Sequence, residues 1–303
     1  MPSVSDSEII NGMFDDDSWS RLKQEIKNLF PLFRYLILQT ETHAFCLALA
    51  GAALLGFFPA CLVILAVLRY ALRWTAAYEV FIETLRIYFP MSQAFVISNL
   101  RALVQNFGRA QFSSLLWVLL GAAGVFIPLE TGFNRLWQVR GDRPYWLNQL
   151  VGFTLTIGCA ALAVLFVAIS TAMHFVIGYL PFEIVRKTSS FIVIRVTITC
   201  LFIVTVFALY KFLPNKKIEA AEVLPAAIIA GVMAELVRAI FVRVLPFLNL
   251  VPTQGPFAIP VSFLLLAYFE TFVVLGGAFL ASHTERYPWM GFLKTKRSES
   301  SPS

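Results

Sequence analysis

Residues 44–68 read AFCLALAGAALLGFFPACLVILAVL, twenty-five residues without one charged side chain. At 1.5 Å per residue such a helix is about 37 Å long, enough to cross the ~30 Å hydrocarbon core of a bilayer. Pro59 lies inside it and lacks a backbone donor, so a kink is expected there. Ala48, Ala52 and Gly56 are spaced by four, which gives a small-residue face for close helix packing. Further apolar runs follow at about 112–129, 149–173, 189–210, 223–245 and 257–282. The expected fold is an all-α integral membrane protein with six transmembrane helices plus amphipathic interfacial helices. The run from Leu147 to Leu180 exceeds one span, and a tilt or an extension beyond the bilayer is expected.

Composition agrees. Of 303 residues, 58% are hydrophobic and 14% charged, against roughly 45–50% and 25% in soluble domains. So few polar side chains do not cover a water-facing surface. The net charge of +6 reads as loop asymmetry. No basic stripe with stacking aromatics stands outside the apolar runs, so nucleic acid is not an expected partner. The partners expected are the lipid bilayer and, as an open alternative, a second copy of the chain. Cys46, Cys61, Cys159 and Cys200 sit in apolar runs without a C-x-x-C pair and read as small hydrophobes. No cleavable signal peptide is expected from the acidic start MPSVSDSEIINGMFDDD.

The flanks define the domains. Residues 1–18 are expected to be a disordered tail, 19–285 a single membrane domain, and 286–303 a basic cytoplasmic tail. Asp15, Asp16, Asp17 and Ser18 form an N-cap signal. Trp19, Leu22, Ile26, Leu29 and Phe33 then recur at helical spacing, as in a surface helix or a small cytosolic cap. Residues 69–111 read as two amphipathic helices, one ending before Pro90, the second carrying Val96, Leu100, Leu103, Val104 and Phe107. With the N-terminus inside, the inner segments hold fourteen Lys and Arg and the outer ones seven. Both termini are therefore expected in the cytoplasm.

Charges inside spans cost roughly 2.5–3.5 kcal/mol each at the centre. Four stand out: Arg195 in the fourth span, Glu235 and Arg238 in the fifth, and Glu270 in the sixth. Two acids and two bases at similar depth are expected to pair across helices. They form either a substrate-binding or proton-relay centre or a structural ion-pair set, with Arg195 snorkelling outward. Glu130, Asn134, Arg135 and Trp137 form a second cluster at the cytoplasmic end of the second span. It is either functional or a helix cap with an interfacial Trp. Pro59, Gly255 and Pro260 are hinge candidates, since broken helices often line transport sites.

Several stretches carry a resemblance: LALAGAALLGFFP in the first span, LETGFNRLW at 129–137, ALYKFLPNKKI at 208–218, AELVRAIF at 234–241, the Gly255–Pro260 turn and LGGAFLA at 275–281. In order and spacing the chain resembles the YihY/virulence factor BrkB family of bacterial inner-membrane proteins over about residues 20–285. The resemblance implies an inner-membrane location and a transporter-like protein without an agreed substrate. Some members were once labelled ribonuclease BN. The family often has a Glu where this chain has Phe279, so a role for that carboxylate does not carry over.

The residues speak against a nuclease. His43, His174 and His283 lie far apart, none in a metal-ligand spacing, and they read as surface residues. No G-x-S-x-G, Walker A or G-x-G-x-x-G motif occurs. No catalytic residue, metal or cofactor is expected, and the chain is not read as an enzyme. Two classes of function remain: a transporter of a small solute or an amphiphile such as a lipid, and a structural or scaffolding membrane protein.

Overall fold

The structure is a computed structural model, which describes residues 29–66, 68–69, 73–88, 124–139, 141, 144–178, 183–248 and 257–287. Among these residues the architecture is wholly helical, with no strand. In chain order the helices are α1, Leu29–Leu38; α2, Thr40–Ala66; α3, Thr75–Tyr88; and α4, residues 124–136. Then come α5, Tyr145–Gly178; α6, Glu183–Phe212; α7, Ala220–Val244; and α8, Ala258–Ser282.

Four helices are long and apolar enough to cross a membrane, through Thr40–Phe57, Trp146–Met173, Arg195–Phe212 and Pro260–Ser282. The span expected at 112–129 lies outside the described residues up to 123. The one expected at 223–245 is α7, 25 residues long, with Glu222, Glu235, Arg238 and Arg243 along it. The long run near Leu147 is one helix of 34 residues.

α7 shows how the sequence sorts its faces. Leu224, Ile228, Val232, Leu236, Ile240 and Val244 are exposed, every fourth residue, a stripe suited to acyl chains. Ala226, Ala227, Ala230 and Ala234 are buried on the other side. Their small side chains let neighbouring backbones approach. Gly231 takes this to the limit: a Cβ there would overlap Ile203 of α6. Thr154, Thr156, Thr171, Thr199, Thr205 and Thr271 each donate to the carbonyl four residues back. That satisfies hydroxyls which hydrocarbon could not.

The N-terminal helices form a broken rod. α1 ends in a π-helical turn, Arg34–Leu38, and Gln39 is extended. The Thr42 hydroxyl donates to Tyr35 O at 2.9 Å. His43 Nε2 lies 3.0 Å from Ile37 O and Nδ1 2.7 Å from the Tyr268 hydroxyl on α8. A neutral ring protonated at Nε2 donates to the carbonyl and accepts from the phenol. The carbonyls freed by the break are thus covered. His43 is not the bare surface residue its sequence context suggests, because α8 supplies a partly buried partner, Tyr268. The surface helix expected at 19–33 overlaps α1 only from Leu29, and 19–28 lie outside the described residues. α1 packs Tyr35 on Phe279, ring centroids 4.9 Å apart, and leaves Phe30, Phe33 and Ile37 exposed.

Phe279 is buried between Tyr35 and His283, the latter at 4.3 Å. An aromatic stack fills the position. The first helix of the 69–111 loop ends before Pro90, as expected, at Tyr88. Its apolar face, with Ala77, Tyr78, Phe81 and Ile82, is covered by Cys61 and Leu65 of α2 and Phe166 and Val167 of α5. The second, at 96–107, lies outside the described residues. Cys46 and Cys61 are buried, whereas Cys200 is exposed on α6.

Of the hinge candidates, Pro59 lies within the continuous helix α2. Pro260 is in the first turn of α8, where a missing N–H costs nothing. Gly255 is outside the described residues.

Candidate functional site

α6 and α7 are antiparallel and joined by residues 213–219. Arg195 lies 17 residues before the end of α6 and Glu235 15 residues after the start of α7. At 1.5 Å per residue both stand about 22–26 Å from the connector, hence at one height. Glu270 is twelve residues from either end of α8. The sequence therefore delivers all three helices' charges to one level.

There they form a ladder of alternating sign. Arg195 Nη1 donates to Glu235 Oε1 at 2.5 Å. Arg238 Nη1 donates to Glu235 Oε2 at 3.2 Å. Arg238 also donates through Nε to Glu270 Oε1 at 2.7 Å and through Nη2 to Glu270 Oε2 at 3.4 Å. The face of Phe202 lies 4.8 Å from the Arg238 guanidinium carbon, close enough for a cation–π contact. Arg238 is thus held by two carboxylates and a ring, and its side chain is 10% exposed. Arg195 and Glu235 are more open, at 32% and 22%.

All four charges singled out in the sequence meet here. Phe202 does not stand out among 29 phenylalanines. Its one signal is spacing: seven residues after Arg195, on the same face of α6.

The second cluster lies at the opposite end of α7, where α4 docks on the connector. Asn134 Oδ1 accepts the Asn215 backbone N–H at 2.8 Å, and Asn215 Nδ2 donates to Gly141 O at 3.4 Å. Arg135 pairs with Glu41 of α2, with its guanidinium over Phe45. Glu130 is buried. Trp137 is also buried, edge-on to Phe133 and 6.4 Å from Tyr210, so it is a core residue and not an interfacial anchor. The chain turns away from α4 at Gln138, with φ 52°, and the Val139 N–H returns to Asn134 O. Tyr210 donates to Val274 O at 2.7 Å. Three stretches that carry the family resemblance, LETGFNRLW, ALYKFLPNKKI and LGGAFLA, therefore pack into one core.

This geometry gives Asn134 a structural task. Asn134→Ala removes the acceptor of a connector N–H, and we expect a loss of about 1–2 kcal/mol. Thermal unfolding in detergent measures it, and Asn134→Asp, which keeps the acceptor, should lose less.

Among the described residues no group of three or more His, Cys, Asp or Glu is arranged to hold a metal. A family model described as Virulence factor BrkB matches residues 38–298. No curated protein and no solved structure matches the chain.

Proposed function

We propose that this chain, which belongs to the Virulence factor BrkB family, is a multi-pass protein of the bacterial inner membrane that moves a small solute or an amphiphile past the Arg195–Glu235–Arg238–Glu270 ladder. The observation that carries the reading is the partial exposure of Arg195 and Glu235 deep along helices that otherwise present apolar faces. An ionised side chain open to hydrocarbon is costly, so such a face is supported by water, a headgroup or a charged solute. The reading includes six spans, both termini in the cytoplasm and no catalytic step, and neither nucleic acid nor a cofactor takes part.

The topology is tested by reporter fusions. Those after residues 105, 183 and 250 are expected to read outside, and those at 140, 215 and 300 inside. The inverted pattern overturns the orientation. Transport is tested in proteoliposomes with a panel of labelled acetate, phosphate, choline and glycerol, and a fluorescent phospholipid. Flux of at least one probe, cut tenfold or more by Arg195→Gln, is expected. Identical flux in protein-free liposomes for every probe sinks the reading.

A second reading has its own observation. All four charges have partners, as a structural lock requires, and a lock needs no solute.

A further inference from the structure

The ladder combines two guanidinium groups with two carboxylates, so its formal charge is zero. Its two ends are held differently. Arg238 is gripped by Glu270 through two nitrogens, by Glu235 through a third, and by the Phe202 ring. Arg195, which donates to Glu235 through Nη1, has a side chain 32% exposed against 10% for Arg238, on a helix face where Ile192 and Val196 are also exposed. Arg195 is therefore the cation that an incoming ligand meets first. The ligand that competes with a carboxylate for a guanidinium is another oxyanion, because both offer paired oxygens to the planar N–H fork.

Charge balance sets a condition on that exchange. When an oxyanion takes Arg195, Glu235 keeps only its share of Arg238, which already serves Glu270. Two carboxylates then lean on one guanidinium, and the site with its ligand has a net charge of −1. An uncompensated charge in a low-dielectric setting is strongly unfavourable. One proton removes it. Among the described residues the charged groups facing Glu235 are Arg195 from α6, Arg238 from its own helix and, beyond Arg238, Glu270 from α8. Glu270 remains chelated by two nitrogens of Arg238, whereas Glu235 has just lost its contact with Arg195. Glu235, whose side chain is 22% exposed, is thus the base that takes the proton: its carboxylate and a hydronium ion give the neutral acid and water.

We infer that the Arg195–Glu235 end of the ladder binds a monoanionic carboxylate or phosphate together with one proton on Glu235. The inference rests on the transport reading and deepens it by naming the ligand class and the coupled ion.

Binding is measured by titration calorimetry on the detergent-purified full chain, with acetate, inorganic phosphate and octyl phosphate as probes. The last of these distinguishes an amphiphile's headgroup from a free anion. Runs in two buffers of different ionisation enthalpy read the protons taken up. With acetate, which does not itself titrate near neutrality, one proton per anion is expected, with affinity falling about tenfold per pH unit over the range in which that proton is taken up, as linkage requires for one coupled proton. Arg195→Gln should abolish binding, and Arg195→Lys, which keeps a cation, should retain a weaker form. Glu235→Gln should bind acetate without proton uptake and without pH dependence, because its amide is already neutral.

Binding retained in Arg195→Gln, or proton uptake with acetate persisting in Glu235→Gln, overturns the inference. So does wild-type binding without proton uptake. If no oxyanion binds while proteoliposomes carry a neutral or cationic probe, the inference falls and the transport reading stands. If an oxyanion binds with one proton and no probe is carried, the site stands and transport falls.

Discussion

Replacing Gly277 with alanine is expected to destabilise the folded bundle by about 2–4 kcal/mol. A Cβ at this position would overlap the Tyr210 hydroxyl and press on the Ala230 Cβ at 3.0 Å. Neither neighbour yields easily. Tyr210 is fully buried and donates to Val274 O at 2.7 Å, while Ala230 is a buried part of α7. The substitution therefore either breaks a buried hydrogen bond or separates α8 from α6 and α7. Thermal unfolding in detergent and abundance in the membrane both read the effect. Gly51→Ala is the matched control, because a Cβ at Gly51 meets nothing within 4 Å. Its effect should be neutral or slightly favourable, since alanine is the better helix former. Equal stability of the two variants would refute the close contact.

The second large effect concerns the ladder. Arg238→Met should cost about 3–5 kcal/mol, because it leaves Glu235 and Glu270 ionised in a site that no longer neutralises both. The partner to change with it is a matter of geometry. The i,i+3 spacing on α7 makes Glu235 the obvious choice. Yet Arg238 meets Glu270 through two nitrogens, the shorter contact at 2.7 Å, and Glu235 through one at 3.2 Å. Arg238→Met with Glu235→Gln strands Glu270, whereas Arg238→Met with Glu270→Gln leaves the Arg195–Glu235 pair whole. The latter double variant is expected to recover near wild-type abundance, and the former is not. With abundance restored, its flux shows what the Arg238–Glu270 end contributes. Retained flux makes that end a structural lock beside the Arg195–Glu235 site, and lost flux makes it part of the path.

These cases also show what the chain discloses on its own. Arg195, Glu235, Arg238 and Glu270 were legible because a charge in an apolar run is conspicuous, and counting rise per residue places them at one height. The order of pairing was not legible, since periodicity relates residues on one helix and says nothing of which face a second helix presents. Tyr210 and Phe202 were hidden for a different reason. An aromatic residue in an apolar helix is ordinary, and only the Val274 carbonyl and the Arg238 guanidinium brought against them give them a task. Trp137 misled in the same way. A Trp beside a span usually marks the interface, but docking on Tyr210 and Phe133 makes it core. The break at Gln39 escaped notice because no proline or glycine marks it. His43, Thr42 and a tyrosine 225 residues away hold it open.

That last separation has a consequence for biogenesis. The partners that fix the N-terminal rod, Tyr268 for His43 and Phe279 for Tyr35, belong to α8 and leave the ribosome at least 225 residues later. At roughly 5–20 residues per second, the first span waits on the order of 10–50 s in the bilayer before its hinge acquires a clamp. During that interval His43 lacks the phenol against its Nδ1 and Tyr35 lacks the ring it stacks on, so only local bonds from Thr42 and His43 hold the break. A nascent chain stalled before residue 268 should therefore carry an N-terminal segment open to proteases, crosslinkers and insertion factors, and the completed chain should close it.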